Sequence, residues 1–349
     1  MAINKKNIRE FLNTVLAGQG KNITLFILMV VVFILFSVFS PAKFPTVRNF
    51  RSMLSQFPEF GLLAVAMMLS MIIGGIDLSV VAVANVCGVL SALILSAGKD
   101  SSTGGVTLIF VSVIVVLVTA SVIGLFNGAL IGLAGVPPIL ATLGTQGLLM
   151  GIAIILTKGH SISGFSAEVD FIGNGFIAGM PFPFLIFVVM TLIAAFIIRR
   201  TRYGFSMYML GANPVVSRYS GVNNTGIIIR TFVLTAILAG VSSLIMLSRA
   251  NSMRPGYGTD YLLQAILVAV LGGTDPNGGI ASMIGLVLAI TILQFTQSGL
   301  TMLAFSAFAK KIIWGLALLL IMVINFTLSK YNERKRIKAM QKIKLHEQK

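Results

Sequence analysis

The chain alternates long apolar runs with short polar, glycine-rich breaks, and the length of each run predicts the element it forms. A helix crossing a bilayer needs ~20 mostly apolar residues, with ~17–25 the usual range. Ten runs meet or approach that length: 23–40, 57–73, 78–97, 106–125 with a continuation toward 134, 139–157, 182–198, 227–248, 262–271, 280–297 and 308–328. The eighth is about half the normal length and reads as a broken or partly buried helix. The pattern therefore predicts an all-α, polytopic membrane protein of about ten transmembrane helices. Around the membrane domain at 23–328 lie an amino-terminal segment, 1–22, and a tail, 329–349.

One polar stretch, residues 201–222, interrupts the apolar pattern between the sixth and seventh runs. Its last part reads as a very short helix: Asn213 can cap, Pro214 suits the first helical position, and Gly221 suits the left-handed residue beyond the end. An isolated helix of two turns is marginal in water because nucleation is costly, so packing must hold this one. Val215 and Tyr219, four residues apart, share a face that a partner could cover. An ordinary solvated loop is the alternative at this point.

Composition supports the membrane reading. The 349 residues are 56% hydrophobic and 10% charged, against ~25% charged in soluble domains, and the mean hydropathy is +0.97. A net charge of +16 could suggest nucleic acid, but the bases lie mainly at the ends of apolar runs and in the tail, as membrane topology requires. Placing both termini and the 199–226 loop, with Arg199, Arg200, Arg202 and Arg218, in the cytosol puts 16 of the 26 Lys and Arg residues there. The basic tail reads as a solvated anchor touching anionic lipid. Lys5, Lys6, Arg9 and Lys21 before the first run resemble a signal peptide, but the run exceeds the ~7–15 residues of a signal core and reads as a retained span. The lone Cys87 offers no disulfide framework.

Candidate chemistry is sparse. The two histidines, His160 and His346, stand in no metal-ligand spacing, and Gly20-Lys21 lacks the rest of a phosphate loop. No metal, cofactor or catalytic group is therefore expected in this chain. No ionisable residue is placed well inside a predicted span. An internal repeat is suggested by Leu62-Leu63 leading to Gly74-Gly75-Ile76-Asp77 and Leu262-Leu263 leading to Gly272-Gly273-Thr274-Asp275, since transporters are often built from paired repeats with interrupted helices. Asp77 and Asp275 at these breaks are read as helix caps, with contact to substrate or partner the alternative. The spans do carry neutral polar residues: Asn85, Asn127, Thr142, Thr145, Gln146, Gln294, Gln297 and Asn325. Such groups bond between helices or line a path for an uncharged, hydroxylated solute. Asn85, Asn127, Thr142, Gln146 and Gln294 are the candidate path residues.

Several segments together resemble a known family, the inner-membrane permeases of bacterial ATP-binding-cassette (ABC) importers for ribose, galactose, xylose and related monosaccharides. Gly74-Gly75-Ile76-Asp77-Leu78-Ser79 is similar to the family's GGIDLS signature, and Ala141-Thr142-Leu143-Gly144-Thr145 to its ATLGT segment. Tyr203-Gly204, Gly211-x-Asn213 and Ser220-Gly221-Val222 resemble its cytoplasmic coupling region, and Leu271-Gly272-Gly273-Thr274 with Gly278-Gly279 its glycine loop. The resemblance spans roughly residues 20 to 328. It implies a type II-like ABC importer permease of the bacterial inner membrane, both termini cytosolic. A separate cytosolic ATPase would bind ATP and magnesium, an extracytoplasmic solute-binding protein would deliver a small neutral sugar, and a second permease copy or paralogue would pair with this one. Contact with the ATPase would fall on Tyr203, Gly204, Gly211, Asn213, Pro214, Val215, Arg218, Tyr219 and Gly221. Phe205 stands where the family often has Arg, Val215-Val216 where alanines are common, and Asp275-Pro276-Asn277 is unusual in the glycine loop. A branched-chain amino-acid permease of the same superfamily is the runner-up reading, and a secondary transporter the third.

Overall fold

The computed structural model describes residues 5–97, 105–321 and 323. In chain order the helices are α1 (Lys5–Phe39), α2 (Val47–Ile72), α3 (Val80–Ser96), α4 (Gly105–Gly132), α5 (Pro138–Thr157), α6 (Ala167–Asn174), α7 (Phe182–Arg200), α8 (Arg202–Ala212), α9 (Pro214–Tyr219), α10 (Asn224–Ala250), α11 (Tyr261–Leu271) and α12 (Met283–Met302). A further helix, α13, runs over 307–321. Among the described residues α1, α2, α4, α5, α7, α10 and α12 are long and apolar enough to cross a membrane, and α3 and α11 are shorter apolar helices. With α13 these match the ten predicted runs one for one. The helix α1 starts well before the predicted first span and runs into it without a break. The predicted tail, 329–349, and Asn325 lie outside the described residues.

The core is built around α2, in which every residue from Phe57 to Ile72 is buried. Such a helix, buried all round, is stable only when other helices enclose it. Helix α10 packs beside it and also against α3 and α4. The α4–α10 contact follows from Gly124, Gly128 and Gly132, spaced every four residues. A Cβ on Gly124 would lie 2.6 Å from the Phe232 carbonyl oxygen, and one on Gly128 2.6 Å from the Ile229 Cα. The two backbones therefore touch, which is how small residues at four-residue spacing pack helices in lipid, where no hydrophobic driving force between helices exists.

The eighth predicted run is a half helix. Eleven residues of α11 span roughly 16 Å at 1.5 Å per residue, well short of the ~30 Å hydrocarbon core. Non-helical chain over 251–260 precedes it. Ser252–Met253 pairs antiparallel with Ile162–Ser163, and Met253 lies against Gly88, midway along α3. Irregular backbone at this depth survives only where protein satisfies its polar groups. Asn85 does so: its Nδ2 donates to the carbonyls of Arg254 (3.1 Å) and Tyr257 (3.3 Å), and its Oδ1 accepts from the Gly256 N–H (3.3 Å).

The two glycine breaks share one backbone geometry. After α2 the N–H of Gly74 bonds Met71 O and that of Gly75 bonds Ser70 O; after α11 Gly273 bonds Val270 O and Thr274 bonds Ala269 O. Gly74 and Gly273 have φ of 79° and 91°, the left-handed region open to glycine. Asp77 and Asp275 each accept the N–H two residues on, from Ser79 (3.0 Å) and Asn277 (2.9 Å). The expected helix capping is corrected at both: the cap position of α3 is Ser79, whose N–H Asp77 accepts, and α12 starts at Met283, where Ser282 caps it by accepting from Gly285 N–H, so each aspartate shapes the turn before or within its loop.

Candidate functional site

The stretch between α7 and α10 folds into two helices at one end of the bundle. The turn from α7 to α8 is made by Thr201, whose Oγ1 accepts from Gly204 N–H (3.1 Å) and donates to Ile197 O (2.6 Å). Gly204 lies against the Ile197 and Ile198 backbone. Tyr203 reaches Thr231 of α10, hydroxyl to hydroxyl at 2.7 Å, and burial pushes its phenol up to about 12, so it stays neutral at any working pH.

Helix α9 forms as its sequence predicts. Asn213 Oδ1 accepts from the N–H groups of Val215 (3.0 Å) and Val216 (3.1 Å), Pro214 opens the helix, and Gly221 closes it with φ of 77°. The packing that so short a helix requires comes from α10: Ser217 Oγ donates to Asn224 Oδ1, and Asn224 Nδ2 donates to Pro214 O, both at 2.8 Å. With Ser217 turned inward, Val215 (62% exposed), Val216 and Tyr219 (89% exposed) face outward, and Arg218 is exposed beside them. Val215, Val216 and Tyr219 thus form an exposed apolar face on α9.

Gly211, just before α9, ties this face to both glycine breaks. A Cβ there would lie 1.9 Å from the Ile72 carbonyl oxygen at the end of α2 and 2.5 Å from the Gly279 amide nitrogen. The two breaks also bond each other, Gly279 N–H to Ile72 O at 2.9 Å, and Gly278 approaches Gly74. Three backbones thus meet without side chains between them: the end of α8, the end of central α2, and the loop between α11 and α12.

The candidate path residues separate into distinct environments. Asn127, Thr142 and Thr145 join a buried polar cluster around Asp77. Ser79 Oγ and Thr235 Oγ1 donate to the Asp77 carboxylate (2.6 and 3.2 Å), Asn127 Nδ2 donates to Ser79 Oγ (2.9 Å), and Thr145 Oγ1 donates to Asn127 Oδ1 (2.7 Å). Thr142 bonds Ile76 O and Leu78 N–H. The cluster holds α3, α4, α5 and α10 together at the first glycine break. Asn85 holds the segment before α11. Gln146 is half-buried on α5. Gln294 is 2% exposed, and neither of its amide atoms has a protein partner. It lines, with Thr191, an apolar crevice of about 390 Å³ between α2, α7 and α12. The proposed site is therefore not one constellation but two linked regions, the α8–α9 face with its glycine junction and the polar groups at membrane depth.

Sequence reasoning missed one buried charged group. Glu59 stands at the edge of the second predicted span, but α2 (Val47–Ile72) starts earlier, so Glu59 lies mid-helix and fully buried, which corrects the expectation that no ionisable residue sits well inside a span. Arg249 Nε and Nη2 donate to its two carboxylate oxygens, the latter at 3.0 Å, and Tyr261 Oη donates to Oε2 at 2.5 Å. The pairing clamps α2, the end of α10 and the start of α11 together. A lone acid near the edge of one apolar run and a lone Arg ending another were the available signal.

Long apolar helices around a half helix, with polar groups buried among them, define a multi-pass membrane protein. Residues 49–324 match the family described as branched-chain amino acid transport system / permease component. The chain is 31% identical over 321 residues to the ribose import permease protein RbsC of Escherichia coli (strain K12), covering 91% of this chain and 96% of that one. It is 30% identical to the autoinducer 2 import system permease protein LsrD of Enterobacter sp. (strain 638), covering 89% and 94%, and 28% identical to the D-allose transport system permease protein AlsC of Escherichia coli (strain K12), covering 88% and 92%. No solved structure matches the chain. The chain belongs to this family of import-system permeases, and the resemblance read from its sequence stands.

Proposed function

We propose that this chain is the permease subunit of an ABC importer that moves a small, neutral, sugar-like solute across the bacterial inner membrane, driven by a separate ATPase. The observation that carries the reading is α9. Its exposed Val215 and Tyr219 face suits a groove on a cytosolic partner, and Gly211 just before it lies against the end of α2 and the α11–α12 loop. A force delivered there has a rigid route to the helices that form the core. Gln294, whose buried amide has no protein partner, offers donors and acceptors without fixed charge, which favours an uncharged, hydroxylated cargo. The relatives named for ribose, allose and autoinducer 2 support such a cargo. An extracytoplasmic binding protein and a second permease copy complete the assembly in this reading.

The description of the matched family keeps a branched-chain amino acid as the second reading. A double variant, Val215→Asp with Tyr219→Asp, tests the coupling role, because burying an unpaired carboxylate in the contact is unfavourable. The expected result is normal membrane abundance, poor co-purification of the ATPase and loss of uptake. Wild-type pull-down and uptake would remove α9 as the coupling surface. Uptake of labelled monosaccharides against leucine and valine, in cells making the wild-type importer, separates the two cargo classes.

A further inference from the structure

Between the end of α7, the first turns of α8 and the turn after α9 lies a cavity of about 640 Å³ lined by Arg199, Arg200, Arg202, Phe205, Ser206 and neighbouring residues of the same segments. Three guanidinium groups on one concavity repel each other unless an anion joins them. No carboxylate does: among the described residues the ion pairs are Glu59 with Arg249 and Asp260 with Lys311. The arginines are exposed, and the short turn at Thr201 holds their backbones close together.

The surroundings say what kind of anion fits. On α7, Val189, Leu192, Ile193 and Phe196 are exposed, and Leu192, Phe196, Arg199 and Arg200 fall on one stripe at helical spacing. The apolar part of that stripe can face only lipid or another membrane helix. It runs straight into the basic cavity, beside which Phe205 is also exposed. A cation cluster directly beneath an apolar, lipid-depth stripe stands at the level of the phosphates of one leaflet. Arginine presents paired donors that match a phosphate's oxygens.

We propose that this cavity binds the phosphate of an anionic phospholipid in the cytosolic leaflet, with the acyl chains along the α7 stripe. The assignment to the cytosolic leaflet rests on the topology of the proposed function. The binding chemistry does not. The site would also fix α8, and hence α9, relative to the membrane plane, because the lipid would bridge α7 and α8 across the Thr201 turn.

The purified full chain in nanodiscs of phosphatidylcholine alone, or of phosphatidylcholine with phosphatidylglycerol, gives the test. Both leaflets then carry the same lipids, so the outcome does not depend on which side is cytosolic. Wild-type protein should melt higher with phosphatidylglycerol by about 3–4 °C, the shift that a preference on the order of a hundred-fold for the folded state produces at this chain length. The Arg199→Gln, Arg200→Gln, Arg202→Gln variant should melt like wild type in phosphatidylcholine and lose most of the gain. At roughly five-fold per arginine, its retention of phosphatidylglycerol in native mass spectra should fall on the order of a hundred-fold. If that variant does not fold, the triple lysine variant, which keeps charge without the planar fork, should fold and show a reduced gain. An equal gain in wild type and glutamine variant would overturn the proposal by placing the effect on other basic residues. The same gain from inorganic phosphate added to phosphatidylcholine nanodiscs would overturn the lipid source in favour of a soluble anion. A glutamine variant that keeps the lipid gain but loses ATPase co-purification would overturn it in favour of a protein interface.

Discussion

Glu59 shows how one residue's meaning depends on where another helix ends. In the chain it is a single acid near the edge of an apolar run, but folding brings Arg249 and Tyr261 onto its two oxygens. Removing one partner of a buried pair costs ~3–5 kcal/mol because the other charge is left unpaired. The Arg249 side chain remains about a quarter exposed, so screening reduces that cost. Glu59→Leu should therefore destabilise the protein by about 2–3 kcal/mol, read as a lower melting temperature in detergent, and Glu59→Leu with Arg249→Met should recover most of it. A single variant as stable as wild type would show that the pair holds nothing together. Asp77 and Asp275 teach the same lesson in reverse. Their local turn geometry is alike and was visible as a repeat. Asp77 is buried under the hydroxyls of Ser79 and of Thr235 from α10 while Asp275 is only half-buried, and no local pattern distinguishes them.

At the scale of elements, α9 was legible because everything that starts and stops it is local. Asn213, Pro214 and Gly221 lie within nine residues of one another, and capping needs no distant partner. The junction at Gly211 was not legible, since glycine reads the same in sequence whether it faces solvent or a second backbone. Gly211→Ala should displace α8 or cost about 1–3 kcal/mol through overpacking. With the Val215 and Tyr219 face intact, we expect the ATPase still to co-purify while uptake falls. Gly315→Ala, at a glycine facing open space, should change neither. Normal uptake by the Gly211→Ala protein at normal abundance would mean the junction does not transmit force.

At the scale of the whole molecule, the topology prediction follows from the basic residues, 16 of 26 on one proposed side. In a Cys87→Ala background, a cysteine at Asn223 should resist an impermeant thiol reagent in intact cells and react in inverted vesicles. Strong labelling in intact cells would reverse the orientation. The same background tests the proposed second copy. Gly144, Gly147 and Gly151 on α5 face open space, a small-residue surface that lets another helix approach closely. Cross-linking through Gly147→Cys is expected, and its absence under oxidation would place the contact elsewhere.

The sequence by itself determined the all-helical membrane class, the ten runs, the short helix α9 and the paired glycine breaks, because run length, caps and left-handed turns are properties of contiguous residues. Only the tertiary structure decided that Asn85 holds the segment leading into the half helix α11, that Glu59 is paired, and that Gly211 brings α8 onto α2 and the α11–α12 loop. Those contacts join residues from 68 to 202 positions apart. In a chain where most residues are apolar, helix-to-helix pairing is set by backbone approach and scattered polar groups, which leave no periodic mark for the sequence to display.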